Sequence, residues 1–273
     1  MIFFPNCKIN IGLSIVGKRS DGYHDIESVF YPVPLCDALE IRHSQDGKTH
    51  FNMSGLEIGE CKTENNLCMK ALRLLQKDYP QMGEANIHLD KAVPAFAGLG
   101  GGSADAAYVL RLADMVFSLG LSKEDLHRYA SMLGSDCMFF LQDEPMFVYG
   151  RGEKMKKTEL SLAGKHIVLL KPDIRISTAE AYKGVSPKPS HIDYREMPPL
   201  SEWKDRVKND FEDSLFPKYP VLAETKQLLY ENGALYASLS GSGATVYGIF
   251  EKECDLQRLK RKNDAFLWQG VLR

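Results

Sequence analysis

Pro94-Ala95-Phe96-Ala97-Gly98-Leu99-Gly100-Gly101-Gly102-Ser103-Ala104-Asp105-Ala106-Ala107 is the stretch on which the reading of this 273-residue chain turns. A polyphosphate must be approached by many backbone N–H groups at once, and side chains stand in the way. Glycine removes that obstacle and allows the positive φ values such a loop needs. A helix beginning near Ser103, with Ala106, Val109, Leu110, Ala113 and Phe117 on its apolar side, adds unsatisfied N–H groups and the positive end of its dipole. Backbone and dipole together predict an anion seat. No lysine follows any of these glycines, which excludes a Walker A loop. The G-x-G-x-x-G fingerprint fails at Ser103 or at Asp105, depending on where counting starts. The plain alternative is a flexible linker. However, the run lies between a strand marked by Ile87 and Leu89 and an apolar-faced helix, which is the setting of a phosphate loop.

Upstream of the loop, Ile9, Ile11, Leu13 and Ile15 alternate with Lys8, Asn10 and Gly12, which predicts a strand with a polar face. The segment 17–22 reads as a turn into a second strand through Ile26, Val29 and Tyr31, and Leu39 with Ile41 marks a third. Leu67, Ala71, Leu74 and Leu75 recur at helical spacing. Downstream, Ser122 is placed to cap a helix carrying Leu126, Tyr129, Ala130 and Leu133, with Gly134 closing it, and a strand is expected over 145–149. The polar, lysine-rich segment 152–164 suggests a boundary, so two domains are expected, 1–155 and 156–273. In the second, Ile167 to Leu170 reads as a buried strand, and Pro187, Pro189, Pro198 and Pro199 make 184–200 an irregular loop. A helix over 221–231, strands near 235–239 and 245–250, a polar helix over 255–262 and a last strand with Phe266 and Trp268 complete the chain. Strands mixed with helices, without strict alternation, predict an α+β fold.

Composition narrows the function classes. Hydrophobic residues make up 44% and charged residues 26%, a globular balance, and a formal net charge of -2 argues against a nucleic-acid partner. The basic cluster from Arg258 to Lys262 reads as the wet face of a helix. No apolar run approaches the roughly 18–20 residues that cross a bilayer. The start, Met1-Ile2-Phe3-Phe4-Pro5, has no signal-peptide pattern, so no membrane partner is expected, and either the location is cytoplasmic or a leader has been removed. Cys7, Cys36, Cys61, Cys68, Cys137 and Cys254 are scattered without a C-x-x-C pair, the usage of reduced thiols rather than of disulfides or zinc ligands.

Four further clusters accompany the loop: Pro5-Asn6-Cys7-Lys8-Ile9-Asn10-Ile11, Lys18-Arg19-Ser20-Asp21-Gly22-Tyr23-His24, Gly134-Ser135-Asp136-Cys137 and Leu239-Ser240-Gly241-Ser242-Gly243-Ala244-Thr245. Each has an ordinary structural reading. Lys8 could be an exposed strand lysine, Asp136 a helix cap, Tyr23 and His24 turn residues, and 241–243 a hairpin turn. Their occurrence together and in order is what resembles the GHMP kinases, the superfamily of galactokinase, homoserine kinase and mevalonate kinase. The Arg-x-Asp-Gly-Tyr-His pattern at Arg19 to His24 is similar to the signature of the diphosphocytidyl-methylerythritol kinases among them.

That resemblance, which runs from residue 5 to about 250, implies the two-domain GHMP α+β fold. Its N-terminal domain is of mixed-sheet α/β type, its C-terminal domain is ferredoxin-like, and catalysis takes place in the cleft between them. It implies an ATP-dependent kinase acting on a cytidine diphosphate substrate, with residues Pro94, Ala95, Phe96, Ala97, Gly98, Leu99, Gly100, Gly101, Gly102, Ser103 and Ala104 around the ATP phosphates. Asp136 is then the base that accepts the hydroxyl proton, with Lys8 beside it orienting the carboxylate and stabilising charge on the transferred group. Asn10, Tyr23 and His24 match positions that hold the cytidine diphosphate part, Thr178 and Tyr182 the other side of the base pocket, and Gly241, Ser242 and Gly243 the substrate's diphosphate. Mg2+ should bridge phosphate oxygens. Many relatives have Ser-Ser where this chain has Ser103-Ala104, so the metal would rest on Ser103 and water. A monomer or homodimer is expected. Other GHMP kinases, acting on mevalonate, a sugar or homoserine, share the loop and the aspartate but need no aromatic pocket. A silent nucleotide-binding regulator should have lost Lys8 or Asp136.

Overall fold

The alternation that begins at Ile9 lies within one long strand, Asn6–Lys18. The computed structural model describes residues 1–57, 63–260 and 264–273. In chain order the first strands are β1 (Ile2–Phe3), β2 (Asn6–Lys18), β3 (His24–Cys36), β4 (Ala38–His43) and β5 (His50–Gly55). Then come α1 (Leu67–Asp78), β6 (Ala85–Lys91), α2 (Gly101–Phe117), α3 (Lys123–Leu133), α4 (Phe139–Gln142), β7 (Met146–Gly150) and β8 (Lys154–Lys157). The remainder is β9 (His166–Pro172), α5 (Thr178–Lys183), α6 (Trp203–Arg206), α7 (Phe211–Lys218), α8 (Pro220–Glu231), β10 (Tyr236–Leu239), β11 (Val246–Phe250), α9 (Leu256–Leu259) and β12 (Asp264–Val271).

These elements form two units that interleave in sequence. The first contains Met1–Cys7, Leu35–Ala95 and Gly100–Asp143. Its sheet has the order β1-β4-β6-β5, with β4 antiparallel and β5 parallel to β6, so it is mixed. Helices α1, α2 and α3 pack on one another, and α2 lies against β4. Local chemistry sets their ends. Asn66 caps α1 by accepting from the Cys68 N–H, and Ser122 with Asp125 forms a full capping box at α3, which Gly134 closes. Helix α2 starts at Gly101, two residues before the serine expected to open it, because Gly100 takes the left-handed conformation (φ 72°) that a side chain would resist.

The second unit contains Lys8–Pro34, Phe96–Leu99 and Glu144–Arg273. One of its sheets has the order β2-β3-β7-β8 and the other β10-β11-β9-β12. In the latter, β9, a helical stretch ending in α8, the hairpin β10–β11, α9 and β12 follow one another, and every neighbouring pair is antiparallel. That is the ferredoxin-like arrangement. Its apolar core gathers Val168, Leu170, Leu222, Leu229, Leu239 and Val246 with Leu13 and Ile15 of β2. A cut at residues 155/156 falls inside β8, ahead of the sheet that begins at His166.

Several elements depart from the sequence reading. Strand β2 is buried on both faces: Lys8 is 3% and Asn10 1% exposed, so the polar face is packed rather than open. The short edge strands β1 and β8, the exposed β5 and the small helices α5 to α7 carried too little periodicity to be read; α7 even contains Pro217. The proline-rich segment 184–200 has no regular structure until its last residue. Helix α9 covers Leu256–Leu259, while Arg261 and Lys262, like Cys61, lie outside the described residues. The described cysteines are thiols rather than disulfides, with Cys7, Cys68, Cys137 and Cys254 buried and Cys36 partly so. Among the described residues, no helix is long and apolar enough to cross a membrane.

Candidate active site

The glycine run is shared by the two units. In the first, the N–H of Ala104 donates to the Gly100 carbonyl at 2.9 Å, so the N–H groups of 101–103 open the helix without a partner a turn below. The glycines there are not equivalent. A Cβ at Gly101 would stand 2.9 Å from Val93 Cγ1, so packing alone demands glycine. At Gly102, which is exposed and helical, the nearest atom would be Leu67 Cδ1 at 3.9 Å, an ordinary contact. Among the described residues, nothing requires glycine at that position. Ser103 is in hydrogen-bonding reach of the Cys137 thiol, and the 3-10 helix Ser135–Met138 packs on α2. Ser103 and partly exposed Asp136 therefore belong to one packed region.

In the second unit, three successive carbonyls of the run are tied down. The Ala97 carbonyl accepts from the Thr245 N–H at 3.2 Å, Gly98 from Ser240 Oγ at 2.9 Å and Leu99 from the Lys8 N–H at 3.0 Å. Gly98 has φ +72°, and a Cβ on it would lie 1.9 Å from the Ser240 carbonyl oxygen, so this glycine is structural. Phe96, half exposed, is covered by the Arg175 guanidinium at 3.7 Å from the ring centre.

The side chain of Lys8 donates to Asn10 Oδ1 at 2.6 Å and lies 4.2 Å from the centre of the Phe30 ring. Asn10 is fixed in turn. Its side-chain amide donates from Nδ2 to Ser28 Oγ at 3.1 Å, and its backbone carbonyl accepts from the Tyr247 hydroxyl at 2.8 Å. The connection from β10 to β11 carries Gly241 to Gly243, and Asn209 holds it by donating to the carbonyls of Leu239 and Gly241 at 2.8 and 2.9 Å. The Gly241 position is 3.3 Å from Asn10 Oδ1, measured from a Cβ built on it.

The aromatic residues form a separate feature of the same unit. His24, the first residue of β3, stacks on Tyr182 of α5 with centroids 4.8 Å apart and planes at 20°. Tyr182 meets the edge of Phe211 at 4.9 Å. Ser177 caps α5 and so fixes Thr178, whose Oγ1 is 3.5 Å from Ser242 Oγ. Tyr23 is 59% exposed and lies under Arg151 at 5.0 Å. It does not join the His24–Tyr182 stack. Its N–H donates to Asp21, which is chiefly why that carboxyl sits below the usual range.

Lys8, Asn10, His24, Thr178, Tyr182 and the 241–243 turn thus lie in the second unit, with Ser103 and Asp136 in the first. Sequence reasoning missed Ser28, Tyr247, Asn209, Phe211 and Arg175, which act through contacts distant in sequence and carry no local signal. Ser240 was legible, since it adjoins Gly241 in the quoted motif.

The pattern for the GHMP kinases N terminal domain matches residues 66–151, and that for the GHMP kinases C terminal matches residues 197–267. A crystal structure of 4-(cytidine 5'-diphospho)-2C-methyl-D-erythritol kinase superposes with a TM-score of 0.75 at 28% identity, covering 91% of this chain and 90% of that one. The mevalonate kinase of Methanococcus jannaschii gives 0.73 at 15% identity over 100% and 98% of the two chains, a likeness of fold alone. Fold and glycine motifs make this chain a GHMP kinase, a class whose phosphoryl donor is ATP. Two full-length relatives narrow the class. The 4-diphosphocytidyl-2-C-methyl-D-erythritol kinase of Parabacteroides distasonis is 46% identical over 274 residues and that of Bacteroides fragilis 48% over 277, each covering 100% of both chains. The chain belongs to the 4-diphosphocytidyl-2-C-methyl-D-erythritol kinase family.

Proposed function

We propose that this chain transfers the γ-phosphoryl group of ATP to the 2-hydroxyl of 4-diphosphocytidyl-2-C-methyl-D-erythritol, in the methylerythritol phosphate route to isoprenoid precursors. The observation that carries the substrate assignment beyond a generic small-molecule kinase is the His24–Tyr182 stack. A partly exposed aromatic pair suits a nucleobase, and stacking on a base contributes about 1–3 kcal/mol. Mevalonate and homoserine have no ring to place there, and a sugar has no aromatic one.

The roles follow from the chemistry. The substrate oxygen attacks the γ-phosphorus, the bond from that phosphorus to the β-bridging oxygen breaks, ADP leaves, and the hydroxyl proton passes to the Asp136 carboxylate. Lys8, oriented by its hydrogen bond to Asn10, supplies positive charge to the transferred group. Residues 94–104 hold the ATP phosphates through backbone N–H groups. Asn10, Tyr23, His24, Thr178, Tyr182 and 241–243 hold the cytidine diphosphate. The Ser103 hydroxyl is a hard oxygen donor of the kind Mg2+ accepts beside phosphate oxygens and water, and it is the side chain that would hold the ion. When bound, it would neutralise phosphate charge. A working division at 155/156, a monomer or homodimer, and action in the cytoplasm complete the reading; sedimentation and cell fractionation test the last two.

The deciding experiment is a coupled ADP-release assay with the cytidyl substrate, mevalonate and homoserine, on wild type and Asp136→Ala. Turnover of the cytidyl substrate alone, falling by about 10²-fold or more in the variant, is expected. A wild type that prefers another acceptor removes the substrate assignment, and an undiminished variant removes the base.

A further inference from the structure

Beneath the start of α2, in the first unit, lie three charged side chains that the reaction above does not use. Lys91, the last residue of β6, is 5% exposed, Asp37 1% and Asp105 2%. The Lys91 ammonium donates to Asp37 Oδ2, and to Asp105 Oδ2 at 2.8 Å. Asp37 uses its other oxygen on the backbone: Oδ1 accepts from the N–H groups of Ala92 and Val93 at 2.7 and 2.8 Å. Val93 in turn packs where a Gly101 side chain would be, and the ammonium is 3.4 Å from that same point.

Replacing a buried ionic triad by apolar residues is often neutral or stabilising, so stability is a poor reason for this one. What it does provide is geometry. A single ammonium binds the carboxylate that fixes the two residues entering the glycine run, and it binds the carboxylate carried by the helix leaving that run. We propose that Lys91, held between Asp37 and Asp105, is a positioning residue that fixes the entry and exit of the phosphate loop and so sets the spacing of the N–H groups that grip ATP. The inference rests on the proposed role of residues 94–104 as the ATP seat. It adds a group that touches neither substrate and acts through backbone placement.

Steady-state kinetics with ATP and the cytidyl substrate varied separately test it, using Lys91→Met, Asp105→Asn, the double variant Lys91→Met/Asp105→Asn, and Gly102→Ala as a control on the loop itself. KM for ATP should rise by about tenfold or more in Lys91→Met, with KM for the acceptor within about twofold of wild type. The double variant removes the carboxyl group left without its ammonium and should regain Tm while KM for ATP stays high. Should Lys91→Met fail to fold, the double variant and Asp105→Asn carry the comparison. Recovery of KM for ATP together with Tm, or equal changes in both KM values, overturns the proposal. If Gly102→Ala raises KM for ATP and the Lys91 variants do not, the positioning inference alone falls. If Gly102→Ala also leaves it unchanged, the loop reading falls and takes the inference with it.

Discussion

Gly102→Ala separates what the fold asks of the glycine run from what a ligand asks of it. The added methyl would meet Leu67 Cδ1 at 3.9 Å and nothing nearer among the described residues, on an exposed residue whose backbone is already helical. Alanine is better than glycine in a helix by up to ~1 kcal/mol, with less gained at a terminus, so the variant should be as stable as wild type or slightly more so. Its Tm should hold or rise by up to about 4 °C. ATP binding should move the other way. A hydrogen bond to a charged group contributes about 1.5–3 kcal/mol, and a methyl that keeps a phosphate oxygen from one N–H forfeits it, a loss of roughly 10- to 150-fold in affinity. Titration calorimetry with ADP and differential scanning calorimetry on the same preparation read both quantities. Gly98→Ala is the contrast, since its methyl would collide with the Ser240 carbonyl at 1.9 Å and stability should fall. A Gly102→Ala protein that binds ADP within about twofold of wild type refutes the view that this glycine exists for the phosphates.

The other expectations concern charge and stacking. Lys8→Met should lower kcat by about 10²-fold with little change in KM for ATP, because in the role proposed for it the ammonium, held by Asn10, acts on charge that develops in the transition state; a loss confined to KM would contradict that role. Tyr182→Ala removes one half of the stack and should raise KM for the cytidyl substrate by roughly 5- to 150-fold while ATP is unaffected, read by initial rates. Burial, aided by Asp37 and opposed by Lys91, pushes the Asp105 carboxyl from 3.8 up to about 7. The folded protein then keeps a proton that the unfolded chain sheds, so this group's contribution to stability is fully present in acid and declines as pH rises from about 4 to 7. Urea unfolding at several pH values should show a shallower decline over that window in Asp105→Asn; an identical slope would refute the assignment.

The parts of the fold that announced themselves were those where one local rule dominates. Ser122 and Gly134 bracket α3 by capping chemistry, and the apolar spacing after the glycine run marks α2. The ferredoxin-like sheet was not derivable from its own strands, because its order depends on which edges pair, and only the resemblance supplied it. The site divides in the same way. Glycines and their neighbours were visible as motifs, whereas the supports of Asn10 come from Ser28 and Tyr247, whose sequence surroundings say nothing about that contact. Lys8 shows the opposite error. Alternation placed it on a polar face, and it is buried there because the second face of β2 is covered as well. Periodicity reports which residues share a face and is silent on what covers that face.

The enclosed thiols make the protein its own reporter. Burial pushes the Cys137 thiol up to about 12, and that of Cys68 well above its ordinary range, so an alkylating reagent finds almost no thiolate while the native packing holds. Modification must then wait for an opening event, and its rate at each cysteine measures how often that neighbourhood comes apart. Cys137 adjoins Asp136, and mass spectrometry of its labelling would time the breathing of the very turn that carries the proposed base, with no dye or tag added.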